Sequence, residues 1–195
     1  MKTSKNFFLF LSVVLWMLAS CNNAPQKPKD SEKMADKANE AKTETNRSEE
    51  DAQVLVNAVS SDLFEIAAAE QASTMATNAQ VKEFASHMIQ EHNAMVGETR
   101  SLAARKGFTV PSVMSNDYMD DINDMKSWKR GKEFDTKYMK GQVDQHQKIL
   151  DDIEKRMAST ADSDVKAWAE KAAAAVRKHL QMANSINTQL EVAYK

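Results

Sequence analysis

Glycine and proline are scarce in this chain, at four and three residues out of 195. That excludes collagen-like and Gly/Pro-rich disordered classes and leaves few turn residues for a β-sandwich. The single cysteine, Cys21, excludes an intramolecular disulfide and any multi-cysteine metal site. Neither sign of charge dominates: 26 Lys and Arg face 28 Asp and Glu, for a net charge of −2. A nucleic-acid binder shows a basic excess, so no nucleic-acid partner is expected. The N-terminal apolar run, residues 7–18, has 12 residues, well short of the roughly 20 that a membrane-spanning helix needs.

What is present at the N-terminus reads as an address. Lys2 and Lys5 precede that apolar run, which has the length of a signal-peptide core. Leu18-Ala19-Ser20-Cys21 follows and resembles the bacterial lipobox, in which the cysteine thiol is lipidated and the chain is cut before it. The expectation is a signal peptide over 1–20 and an acyl anchor on Cys21, which tethers a domain without making it span the membrane. Asn22 and Asn23 lack the Asp that resembles an inner-membrane retention signal, so the outer membrane is the expected address. Residues 21–50 are rich in Lys, Glu, Asp, Asn and Thr, and are expected to be a disordered charged tether.

From 51 to 193 the pattern is helical. Abundant Ala, Lys, Glu and Met favour helix, and no segment alternates with period two. Helices are predicted over about 51–76, 79–105, 132–158 and 164–192, with a short one over 117–129. The first carries Leu55, Val59, Leu63 and Ile66 on one face, and Ala58, Ser61, Glu65, Ala68, Ala72 and Ala76 on another. The others carry apolar stripes at spacings of three and four, for example Val81, Phe84, Met88, His92 and Leu102. Tight turns near 78–79 and 161 and a long crossover from 107 to 131 predict two antiparallel hairpins packed as a four-helix bundle, with the short helix over one end.

Chemistry concentrates in the histidines. His92, His146 and His179 each interrupt the apolar stripe of a different helix, and Glu65 lies on the close-packing face of the first. Counted from the two tight turns, Glu65 and His92 lie at matched depth, and His146 and His179 differ by three residues, about 4.5 Å of rise. One acid and three imidazoles are thus expected to meet inside one bundle. Burying them is costly unless they satisfy one another or hold an ion. Two readings stand: one transition-metal ion on His92, His146 and His179 with Glu65, or a polar packing device. Met88, Met95 and Met182 flank these histidines and would suit Cu(I), although methionine at helical spacing is ordinarily core filler. His87 falls on the polar side of its helix and is assigned no role.

Phe64-Glu65-Ile66, Val81-Lys82-Glu83-Phe84-Ala85, Met88 and Glu91-His92 resemble a bacterial exported family of unknown function. Its members are often labelled putative outer membrane protein and have a ferritin-like fold. Gly107 with Pro111, then Gly131, Phe134-Asp135, Tyr138, His146 and His179-Leu180 agree. The resemblance spans about 52–190. It implies the fold and address above and carries Glu65, His92, Asp135, Tyr138, His146 and His179 over as family positions, with Asp135 and Tyr138 supporting the site. The family has Asp more often where this chain has Glu91. No activity comes with the resemblance. A di-iron centre is not expected, because the Glu-x-x-His pattern fails: Ile89, Val143 and Val176 stand three residues before the histidines. No nucleophile–base pair or phosphate loop is in view. The expectation is an envelope lipoprotein that binds one ion, or else a structural or interaction module.

Overall fold

A computed structural model gives the fold and describes residues 29–194. Cys21, the lipobox and the signal segment lie outside the described residues. Those residues form six helices and no strands: α1 (Ser31–Glu40), α2 (Asn46–Met75), α3 (Ala79–Lys106), α4 (Asn116–Met125), α5 (Lys132–Ser159) and α6 (Ser163–Ala193). None of them is long and apolar enough to cross a membrane.

The long helices make two hairpins. α2 packs along α3 and α5 along α6, while α2 also faces α5 and α3 faces α6. The turns that reverse the chain are chemically specified. Asn78 caps α3 by accepting from the Gln80 and Val81 N–H groups, and Asp162 caps α6 by accepting from Asp164 and Val165. Gly107 ends α3 in the left-handed region (φ 74°), where a side chain would be strained. At the start of α4, Ser115 Oγ caps the helix while its N–H donates to Ser60 Oγ of α2 (2.9 Å), which fastens the crossover to the bundle. At the far end, buried Arg156 of α5 pairs with Asp51 of α2 (3.1 Å) and with Glu50.

The stretch expected as a tether differs from that expectation. Residues 31–40 form α1, which packs on α2, and α2 itself begins at Asn46 rather than at 51. The ties are polar. Asn39 is buried, donating to the Thr109 carbonyl (2.8 Å) and accepting from the Thr109 N–H (2.7 Å). Asp30 accepts from the Asn116 N–H (3.1 Å), and Ser31 Oγ from the Ser112 N–H (3.2 Å). A hydropathy reading sees no apolar stripe there because little of the attachment is apolar. On α2 the small-residue face with Glu65 is the deeper one, and Leu63 and Ile66 are only half-buried. The short helix stops at Met125, leaving Trp128 in the loop before α5.

The apolar core is divided. One cluster joins Ala68, Ala72, Phe84, Met88, Phe134, Met139 and Ala183, with Ile89 and Val143 packed against it. Another joins Leu150, Ile153, Ala169, Ala173 and Val176, with Met95 and Ile149 against it. His92, His146 and His179 fall between these two clusters on their helices, so the bundle carries a polar layer across its middle.

Candidate metal centre

The polar layer draws on four helices: Asp62 and Glu65 from α2, His92 from α3, Gln142 and His146 from α5, and His179 from α6. Each is at most 4 % exposed. The three histidines converge as their stripe positions predict. Ring centroids are 5.6 Å apart for His92 and His146, 5.0 Å for His92 and His179, and 5.4 Å for His146 and His179. One ring nitrogen from each lies within 4.8 Å of the other two. A zinc ion at Zn–N of about 2.0–2.1 Å would hold tetrahedral nitrogens roughly 3.3 Å apart, so closure takes small side-chain movements.

Hydrogen bonds around the rim decide which nitrogens face inward. His146 Nδ1 donates to the carbonyl of Gln142 (2.9 Å), one turn back on the same helix. A carbonyl only accepts, so Nδ1 carries the proton and Nε2 the lone pair. His92 Nδ1 contacts Asp62 Oδ1 at 2.8 Å, which fixes its Nδ1–H in the same way and frees Nε2. Buried His92 Nε2, His146 Nε2 and His179 Nδ1 have no hydrogen-bond partner. A carboxylate or carbonyl behind a ligating imidazole is the usual outer support of a metal site, since it sets the tautomer and raises ligand basicity.

The titration behaviour follows from burial. Burial first, then the positive charge of neighbouring imidazoles, pushes His179 down to about 2. Burial likewise lowers His146, against the opposing influence of Glu65. Burial also acts to lower His92, but the Asp62 hydrogen bond and charge outweigh it and leave His92 above its ordinary value. Asp62 is raised, because burial outweighs the stabilising His92 contact.

Glu65 is fully buried beside this trio rather than within it. Its Oε2 accepts from Gln142 Nε2 (2.7 Å), and its Oε1 has no partner. Tyr138 is buried on the same side, and burial followed by the Glu65 charge raises its phenol well above the usual range. Asp135, carried over as a supporting residue, works elsewhere. It accepts from the Thr77 N–H and hydroxyl, the Asn78 N–H and the Tyr194 hydroxyl, so it locks the α2–α3 turn, 11 residues along α5 from His146. The thioethers do not gather in one place: Met88 belongs to one core cluster and Met95 packs on the other, as core filler does.

Sequence reasoning missed two residues. Asp62 stands three before Glu65, one turn along the same helix, and that spacing was the available signal. His87 is half-buried, and its ring stands edge-on to His179 with centroids 5.6 Å apart. It is therefore a neighbour of the cluster, which its place on the polar side of the helical wheel did not suggest.

A family model described as "Domain of unknown function (DUF4142)" matches residues 35–186. No curated protein and no solved structure matches the chain.

Proposed function

We propose, from the premise that this chain belongs to the DUF4142 family, that its bundle holds one transition-metal ion on His92, His146 and His179. The observation that carries this reading is the set of three buried, unpartnered ring nitrogens, two of them aimed inward by Asp62 and Gln142. Charge supports it. Asp62 and Glu65 are two buried carboxylates, and a divalent cation among neutral imidazoles supplies what they lack. Three imidazoles suit Zn²⁺, Cu²⁺, Ni²⁺ or Fe²⁺. The reading assigns binding and no reaction. The helix pairing is in keeping with a ferritin-like, antiparallel four-helix arrangement with α4 in the crossover.

The test is elemental analysis of protein isolated from its native membrane, followed by titration of the EDTA-stripped full chain. One equivalent of metal and a dissociation constant below about 10 μM are expected. If neither Zn²⁺, Cu²⁺, Ni²⁺ nor Fe²⁺ binds that tightly, the layer is a packing device, and His146→Leu should then be neutral or stabilising.

We also propose that Cys21 is lipidated and holds the domain at the cell envelope, on the outer rather than the inner membrane. The lipobox and the sole cysteine support this. Cys21→Ala should give uncleaved precursor and no acyl-labelled species; full lipid labelling of that variant would refute the anchor.

A further inference from the structure

The three ligand histidines are closed to solvent: His92 and His146 are 0 % exposed and His179 is 1 % exposed. An ion therefore reaches them only when some side chain moves aside, and a metal site needs such an entry path. Two of the three rings are held from behind, His92 by Asp62 (2.8 Å) and His146 by the Gln142 carbonyl (2.9 Å). His179 has no such tie, and its buried Nδ1 is without a partner. Of the three ligand positions, the one on α6 is thus the least firmly held.

Beside α6 a groove of about 500 Å³ runs between α3 and α6. Phe84 of α3 and Met182 and Ile186 of α6 give it apolar walls. His87 lines this groove, at the end nearest the polar layer, and His179 does not. The His87 ring is half-buried and stands at 89° to the His179 ring, with centroids 5.6 Å apart. It therefore lies between the open groove and a buried ligand. No hydrogen bond fixes it among the described residues. It stands outside the trio whose ligand nitrogens lie within 4.8 Å of one another. No histidine lines the hollow between α2, α4 and α5 or the two beside Trp168.

We infer that the ion enters and leaves along the groove between α3 and α6, with the His87 ring as the gate over His179. The inference rests on the proposed ion and adds its route. A swing of His87 about its Cα–Cβ bond uncovers His179, which then meets the ion first. Side-chain rotation of this kind is far faster than the parting of packed helices. Imidazole suits a gate because water hydrates it when it swings out, whereas a phenyl ring in its place gains from staying buried.

The experiment follows Zn²⁺ uptake and release by the EDTA-stripped full chain in stopped flow, with a coloured chelator reporting free Zn²⁺. His87→Phe should slow uptake and release alike, and His87→Ala should speed both, each by about fivefold or more. The dissociation constant is the ratio of the two rates, so it should stay within about threefold of wild type. The absorption spectrum of the Co²⁺-loaded protein should be the same in all three, since His87 is not a ligand. Ser185→Trp, at an exposed position on the groove, should also slow both rates, and it decides if His87→Phe does not fold. Gly141→Leu, which narrows the hollow between α2, α4 and α5, should leave both rates unchanged. Wild-type rates in the folded groove variants, a slower His87→Ala, slowing by Gly141→Leu, or a changed Co²⁺ spectrum would each overturn the gate. If the stripped wild-type chain takes up no Zn²⁺, the Zn²⁺ site fails and the gate with it. Uptake at rates indifferent to position 87 removes the gate alone.

Discussion

At the scale of single residues, two buried aspartates that look alike in the sequence do different work. Asp62 steadies an imidazole, so Asp62→Asn should weaken metal affinity about 10–100-fold while the ligands remain in place. Asp135 serves a turn, so Asp135→Ala should cost about 1–3 kcal/mol by stranding the Thr77 and Asn78 N–H groups, with metal affinity unchanged. Metal titration and urea unfolding of both variants separate the two roles. The histidines also set a pH dependence for the ion-free protein. His179, held near 2, and His146, held low, stay unprotonated in the fold, whereas in the unfolded chain both titrate near about 6.5. Their contribution to stability is complete above that value and is lost as pH falls below it, because only the unfolded state gains the protons. His92 works in the opposite sense: with Asp62 holding it up, its contribution is present below about 6.5 and fades as pH rises through its raised value. Between pH 6 and 4, urea unfolding should show a loss of about 1.4 kcal/mol per pH unit from His179 alone, and His179→Leu should remove that share of the slope.

At the scale of elements, the four long helices are readable from sequence because each repeats an apolar residue every three or four positions, with α3 in addition starting on Asn78 and ending on Gly107. α1 is not, since its attachment lies in the amide of Asn39 and in backbone groups 70 residues away, which no hydropathy pattern reports. Asn39→Ala removes both Thr109 hydrogen bonds and should destabilise the protein by about 1–3 kcal/mol, with a matching rise in amide exchange across α1; unchanged exchange would show that α1 is only loosely attached. The site follows the same division. His92, His146 and His179 were visible as polar breaks in apolar stripes. The rotation that turns His87 toward His179 depends on how α3 and α6 pack, and a helical wheel drawn on one helix does not contain it. Trp168 lies on the helical stripe of α6 that carries Val165, Ala172 and His179. It is half-buried, with its indole N–H donating to Thr99 Oγ1 (3.0 Å), so its removal costs a hydrogen bond as well as packing.

At the scale of the whole molecule, an ion bound across α3, α5 and α6, as proposed, would link both hairpins and stabilise the folded state by mass action. At a free concentration one hundred times the dissociation constant the gain is about 2.7 kcal/mol. For a chain of this size that should raise the thermal midpoint by roughly 5–10 °C. Calorimetry with and without Zn²⁺ checks this, and His146→Ala should show no shift. The polar layer has a second consequence, independent of any ion. Much of what the helices present to one another is alanine: Ala68, Ala69 and Ala72 on α2, and Ala169, Ala172, Ala173 and Ala183 on α6. Such smooth, repetitive surfaces can slide past each other by one turn, about 5.4 Å, and still interdigitate. A one-turn slip at this layer would take His92 off Asp62, Gln142 off Glu65, and set each imidazole against methyl groups. The layer therefore acts as an indexing pin, and it sets the axial register that the alanines leave open.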